Sequence, residues 1–317
     1  VESTYGDRER PVAEGPGRRR LLAEEIRAAH AAGGPLLIPA FAVERSQELL
    51  VDLLALMASG EVPEADIFLD SPLAIEACDV FRERGWNATR GENPFLPLRS
   101  SGRLRFVDDP ADSDRLEQVR GWHVLLAASG MCDAGRVRKH LKRLLWRKET
   151  TVLLCGFQAG GTLGRLLADG ASRVTIQGDE IRVRARVRRL DVYSAHADGP
   201  ALARWVAARA PVSGSVFLVH GEPEGAEGLS RRLVEAGLSP EKIRIPDLDE
   251  GFDLSPADAI AVEGARARLA PHSASRPDWH NDRAAFQIAL GAALEAAPDD
   301  EARKALLARL DRALEGA

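Results

Sequence analysis

The sequence predicts an α/β protein whose strands form a mostly parallel sheet. Two observations carry this. Short apolar runs (LLI, IFLD, HVLLAA and TVLLCG) each end in a small or polar loop that opens a helix-like stretch. Those stretches place apolar residues three and four positions apart, on one face. In such sheets ligands collect beyond the carboxyl ends of the strands. Asp70, Ser129, Gly130 and Gln158 fall there, as candidates for a site and equally for turn and capping roles.

Taken in order, EGPGRRRLLAEEIRAAHAAGG reads as a helix with Leu22, Ile26 and Ala29 inward and a Gly33-Gly34 stop. A strand at 36–38 precedes a second helix, ERSQELLVDLLALMASG, with Leu49, Leu50, Leu53 and Leu54 inward. IFLD runs into SPLAIEACDVFRERG, where Ser71 is an N-cap and Pro72 the first helical residue. Residues 85–120 are less regular, around a short strand at 104–107. HVLLAA leads through SGMCDAG to a helix over RVRKHLKRLLW, and TVLLCG leads through FQAGGT to one over LGRLLADG. VTIQGDEIRVRARV reads as a hairpin in which Arg182, Arg184 and Arg186 alternate with Ile181, Val183, Ala185 and Val187.

Two strand–loop–helix units follow, with a histidine in each loop: LDVYSAHADGPALARWVAA and SVFLVHGEPEGAEGLSRRLVEAG. A short strand, KIRIPDL, closes them. From about 256, a polar connection containing PHSASRPDWHNDRAAF leads to two helical stretches. The DWHND cluster is expected to cap and dock them. Leu306, Leu307, Leu310 and Leu314 form a stripe for packing on the body or on a second subunit, so a homodimer is a candidate assembly.

Composition bounds the class. The 317 residues are 45% hydrophobic and 29% charged, enough to build a core and too apolar for chain-wide disorder. With 43 Lys+Arg against 48 Asp+Glu the formal net charge is -5, so any grip on nucleic acid must be local. Cys78, Cys132 and Cys155 form no CxxC pair, which predicts a reducing compartment, taken as the cytoplasm, and no thiolate zinc site. The apolar runs are too short to span a bilayer, so no membrane association is expected. VESTYGDRERP reads as the end of a strand entering a polar loop, which predicts a further segment upstream.

Among the seven histidines, His196 and His220 stand out because each lies in a loop that leaves a strand, aimed from a rigid element. That placement suits a metal ligand or a proton donor. Glu2 occupies a similar position. A carboxylate beside an imidazole can hold one tautomer and make the ring a general acid near neutral pH. The sequence contains no HxH, HxxxH or HExxH. Two histidines do not make a catalytic zinc site, which takes at least about three protein ligands.

RVRKHLKRLLWRK carries seven Lys or Arg and no acid. Arg136, Lys139, Lys142 and Arg143 within it, with the arginines at 182–189, are candidate phosphate contacts or a solvated face. The turns SGMCDAG and FQAGGTLG, with Ser129, Gly130 and Gln158, could offer N–H groups to phosphate. Neither is GxGxxG or GxxxxGK[ST].

Seven blocks occur in order: ESTYGD at 2–7, PAFAVERSQELL at 39–50, LDSPLA at 69–74, AASGMCDAGR at 127–136, GFQAGGTLG at 156–164, SAHAD at 194–198 and LVHGE at 218–222. Together they resemble the β-CASP branch of the metallo-β-lactamase superfamily, in particular its RNA-cleaving members, over about residues 1–255. The resemblance implies an αββα catalytic domain with an inserted β-CASP α/β cap, RNA in the cleft between them, and two zinc ions that activate water. Residues 8–190 would be the cap, 1–7 and 191–255 the closing part of the catalytic domain, and 256–317 a helical tail. Glu2 would be the first-motif acid and His196 the second-motif histidine that protonates the leaving 3′-oxygen. His220 would be the third-motif zinc ligand, and histidine rather than valine there implies RNA rather than DNA.

The family's HxHxDH stretch is absent from these residues, so this chain alone is expected to bind no zinc firmly and to be inactive. Two other functions compete with RNA hydrolysis. One is a non-catalytic RNA-binding or scaffold protein of the same family. The other is a small-molecule metallohydrolase, which the basic track argues against.

Overall fold

The apolar runs become fully buried strands. The computed structural model describes residues 1–10, 15–84, 93–254, 259–262 and 279–315. Its first part runs α1 (Pro16–Ala31), β1 (Leu36–Pro39), α2 (Arg45–Ala58), β2 (Ile67–Asp70), α3 (Pro72–Arg84), α4 (Pro97–Ser100), β3 (Leu104–Phe106) and α5 (Pro110–Arg115). It continues with β4 (Val124–Ala127), α6 (Val137–Leu144), β5 (Thr151–Leu154), α7 (Leu163–Ala168), β6 (Arg173–Ile176), β7 (Asp179–Arg182) and β8 (Arg186–Arg189).

Six of these strands form one sheet, β3-β2-β4-β1-β5-β8, with every pairing parallel. Side chains alternate between its faces. Leu36 and Ile38 pack with Leu22, Ile26 and Leu50 on one side, while Leu37 packs with Val137, Leu141 and Leu166 on the other. Helices therefore cover both faces, as an all-parallel sheet requires. Ser71 caps α3, its Oγ accepting from the Ala74 N–H at 3.4 Å.

Three local expectations change. Leu54 is only partly buried, and Asp52 lies fully inside α2's packed face. Three donors make that possible: Arg18, Arg19 and the Tyr193 hydroxyl, each at 2.8 Å from its carboxylate. The hairpin ends at Arg182, around a Gln177-Gly178 turn with both φ values positive. Arg186 and Arg188 belong instead to β8, which pairs with β5, so the arginines share no single face. The Leu145 carbonyl turns the chain between them, accepting from Arg184 N at 2.7 Å and Ala185 N at 2.9 Å.

The second part contains α8 (Gly199–Ala207), β9 (Val216–Phe217), α9 (Pro223–Glu235), β10 (Ile243–Arg244), β11 (Phe252–Leu254), β12 (Ala259–Ala261), α10 (Trp279–Ala296) and α11 (Asp300–Glu315). β9 and β10 pair in parallel over a core of Leu202, Val206, Leu218, Leu229 and Leu233. Residues 1–7 join this part: Glu2 bridges Val219 and Tyr5 bridges Asp198.

That segment seats on a glycine seam. A Cβ on Gly225 would stand 2.4 Å from the Ser3 carbonyl oxygen, and one on Gly228 2.3 Å from Asp7 Cα. Gly225→Ala is expected to cost about 1–3 kcal/mol, because a backbone clash outweighs the ~1 kcal/mol that alanine gains over glycine in a helix. Gly291→Ala in α10, where the space is open, should instead be neutral or stabilising. Urea midpoints of the two variants test the contrast.

The tail helix α10 docks on β6. Asn281 Oδ1 accepts from Thr175 N at 2.9 Å, and Ala284 and Ile288 join the second core cluster. In α11, Leu306 and Leu310 are partly buried and Leu307 is exposed. His272, Asp278 and the side chains of Trp279, His280 and Leu314 lie outside the described residues. No described helix is long and apolar enough to cross a membrane.

Candidate active site

β1 lies between β4 and β5, with β8 beyond, so the loops leaving these four strands converge at one edge of the sheet. They enclose a cavity of about 590 Å³. Phe41, Val43 and Glu44 come from the loop after β1, Arg45 from the start of α2, Met131 from the loop after β4, and Gly156 and Phe157 from that after β5. Thr4, Ser194, His196, His220 and Glu222 line the remainder.

The structure brings Glu2, His196 and His220 together, with one potential ligand atom of each within 4.8 Å of the others. Glu2 Oε2 lies 3.4 Å from His196 Nδ1 and accepts from the Thr4 N–H at 2.8 Å. The two imidazoles stack, with centroids 5.1 Å apart and planes 29° apart. Thr4 sits between them. Its hydroxyl donates to the His220 carbonyl oxygen at 3.0 Å and lies 3.1 Å from His220 Nδ1 and 3.4 Å from His196 Nδ1. The Thr4 hydroxyl thus touches both rings at Nδ1, and which partner donates depends on the tautomer of each imidazole. His220 also holds φ at 53°, a left-handed conformation that costs a β-carbon-bearing residue about 1–3 kcal/mol.

Several site residues were not singled out in the sequence. Thr4 lies inside ESTYGD, yet nothing local shows that it meets both histidines. Arg10 donates to the carbonyl oxygens of Asp191, Ser194 and His196, and its guanidinium lies 4.5 Å from the Tyr5 ring centre, so it holds the SAHAD loop. Asp198 caps α8 through Ala201 N at 3.0 Å and accepts from Arg10 N at 3.2 Å. Burial pushes its carboxyl up, but these N–H donors outweigh that and hold it below its ordinary value. Glu222 ties the two parts of the chain together, accepting from Gly160 N at 2.7 Å and facing Arg165 at 3.3 Å.

The candidate phosphate contacts fall in two places. Ser129 and Gly130 open the loop after β4 that carries Met131 to the cavity, and Phe41 would be 2.9 Å from a Cβ on Gly130. Gln158 is buried and donates to the Gly130 carbonyl at 3.1 Å and that of Gly156 at 3.3 Å, stapling these loops. Lys139, Lys142 and Arg143 instead line a separate cavity of about 760 Å³ beside α6. Carboxylates from distant segments meet them there: Asp114 pairs with Lys139, Asp179 with Lys142, and Glu117 with Arg143. Arg136 turns inward, 2.7 Å from Asp70 Oδ1 and 2.6 Å from the Asp108 carbonyl oxygen.

Asp70 is fully buried and also meets His140 Nε2 at 2.5 Å and the Ser113 hydroxyl at 2.6 Å. Burial alone would raise its pKa, but His140, Ser113 and Arg136 hold it below the ordinary value. An ionised carboxylate only accepts, so His140 donates through Nε2–H.

Residues 46–167 match the family model described as the Beta-Casp domain. Residues 180–246, which include His196 and His220, match that of the Zn-dependent metallo-hydrolase RNA specificity domain. The chain belongs to the β-CASP branch of the metallo-β-lactamase superfamily. This β-CASP chain is 34% identical over 246 residues to Ribonuclease TTHA0252 of Thermus thermophilus, covering 75% of the chain and 54% of that protein. It is 32% identical over 234 residues to an RNase J-like protein of Methanocaldococcus jannaschii, covering 70% and 51%. With the transcription termination factor FttA of Cenarchaeum symbiosum it shares 30% identity over 251 residues, covering 73% and 37%. The β-CASP chain thus spans about half the length of the first two relatives and less of the third.

Proposed function

We propose that the protein carrying this chain hydrolyses RNA phosphodiester bonds with zinc, and that Glu2, Thr4, His196 and His220 form part of its active site. The juxtaposition of two imidazoles and a carboxylate at the wall of a strand-end cavity carries this reading. The names of the relatives from Thermus and Methanocaldococcus, a ribonuclease and an RNase J-like protein, support the substrate.

The donor set fits zinc, which takes histidine nitrogen and carboxylate oxygen. His220 would hold it through Nε2, since its Nδ1 faces the Thr4 hydroxyl. When bound, zinc supplies Lewis acidity toward phosphoryl oxygens and lowers the pKa of water. His220 would be one ligand, and the two-ion centre that the family resemblance implies takes further ones. Glu2 orients His196, which gives a proton to the leaving 3′-oxygen.

We assign residues 8–190 to the β-CASP cap, 1–7 and 191–255 to the catalytic domain and 256–317 to a tail. The bridges from Glu2 to Val219 and from Tyr5 to Asp198 support joining the first segment to the third. Ser129, Gly130 and Gln158 shape the cavity edge for the RNA backbone. Lys139, Lys142 and Arg143 act at the α6 cavity, where phosphate competes with Asp114, Glu117 and Asp179, while Arg136 stays on Asp70 and takes no phosphate.

Thermal unfolding with added zinc tests the metal site. Ligand at about 100 times its Kd stabilises by roughly 2.7 kcal/mol, so Tm should rise with zinc and lose most of that rise in His220→Ala. RNA cleavage by the unaltered protein should disappear with a chelator. An unshifted Tm together with chelator-insensitive cleavage would remove the metal from this reading.

A further inference from the structure

The cavity wall carries a charge that the histidine cluster does not use. Arg45 opens α2 and is 6% exposed, yet among the described residues it forms no ion pair with a carboxylate. Its Nη1 donates to the Cys155 carbonyl oxygen at 2.8 Å, while its Nε is buried with no hydrogen-bond partner. Burial pushes its pKa down, but arginine remains charged in proteins. Glu48 and Glu44 act on it only through space, without an ion-pair contact, and for a buried guanidinium that and one neutral carbonyl bond are weak compensation.

The surroundings are built to keep it there. Gly156, at φ 135°, has no side chain, and a Cβ on it would stand 3.1 Å from Arg45 Nη1. Ser46 Oγ ties to the Phe41 carbonyl at 2.7 Å, and Gln47 Nε2 ties to those of Ala42 at 3.1 Å and Ala74 at 3.0 Å. The loop presenting Arg45 is therefore braced on both sides. The same loop exposes Phe41 and Val43 to the cavity that Arg45 lines with His196 and His220. A cation beside an aromatic face is the pairing that single-stranded nucleic acid uses, with phosphate on the charge and base on the ring.

We infer that Arg45 is a phosphate anchor, taking the backbone of single-stranded RNA beside the histidine pair while Phe41 carries a base. This rests on the RNA reading above. The guanidinium suits the task because it can give two parallel N–H donors to phosphate oxygens, which a lysine cannot.

The test is binding of a fluorescent single-stranded oligoribonucleotide by anisotropy, in EDTA to stop turnover and across a salt series. Arg45→Gln is expected to weaken binding roughly tenfold or more. The slope of log K against log salt should fall by about 0.7, the value for one phosphate contact on a single strand. Tm without RNA should not fall and is expected to rise, because the variant removes an unpaired buried charge. A lowered Tm with unchanged affinity and slope would make Arg45 a packing residue and overturn the proposal. On the unaltered protein, the Arg45 Nε–H resonance should shift as oligonucleotide is added, and an unmoved resonance overturns it independently of how the variant folds. Unaltered protein that binds RNA through Arg45 but never cleaves it keeps the anchor and defeats hydrolysis. Failure to bind RNA at all defeats both.

Discussion

His196→Ala is expected to slow RNA cleavage by about 10²–10⁴-fold, the usual contribution of a positioned general acid. The argument is geometric. Nδ1 of His196 faces Glu2 and Thr4, and the ring lines the cavity with its other edge free of protein hydrogen bonds among the described residues. Proton donation matters most when the leaving group is a poor one. An alkoxide such as the 3′-oxygen needs the proton, while a nitrophenolate does not. The loss should therefore shrink by an order of magnitude or more on a nitrophenyl phosphodiester, and Glu2→Gln should show a smaller loss with the same substrate dependence. Equal losses on both substrates would assign His196 to binding instead.

Asp70→Ala should remove about 3–5 kcal/mol of stability, read as a lowered urea midpoint, because it strands Arg136 and His140 beside an empty buried position. Ser113→Ala, which deletes one donor and strands no charge, should cost about 1 kcal/mol. The pH dependence follows from the direction of the shift. The Asp70 carboxyl is held below its ordinary value of 3.8, so the unfolded chain binds its proton first as pH falls. Its stabilisation is fully present above that value and is lost as pH drops through the lower, folded one. The gap between the unaltered protein and Asp70→Ala should thus be flat near neutrality and close in acid. A gap that widens in acid would mean that His140 rather than Asp70 sets the charge balance.

The parallel strands and most helices were legible because each is marked locally, by an apolar run or by a cap such as Ser71 before Pro72. Glu2, His196 and His220 were legible through the motif blocks that contain them. The residues that hold them were not. Thr4 and Arg10 act on carbonyls and rings about 180 or more positions away, and no local periodicity encodes such a pairing. The helix around Arg136 to Lys148 read as a basic track because its acids come from 114, 117 and 179. Asp70 read as a strand-end ligand because burial among His140, Ser113 and Arg136 depends on the packing of two helices, α5 and α6. Arg45 sat within a recognised block, but only the fold shows its lack of a carboxylate partner.

The union of residues 1–5 with 198 and 219 sets the order of events during synthesis. Ser3 and Val219 meet across 216 positions, with the whole six-stranded sheet between them. At roughly 5–20 residues per second, Glu2 waits on the order of 10–45 s after it is made before His220 leaves the ribosome. The sheet from β1 to β8 is complete in sequence before that moment, so it can fold before residues 1–5 meet 198 and 219. Non-local closures of this kind are slow. The Glu2–His196–His220 cluster can therefore form only after every strand of the sheet has been made, and anything that captures residues 1–5 early leaves a folded sheet with no histidine pair beside Glu2.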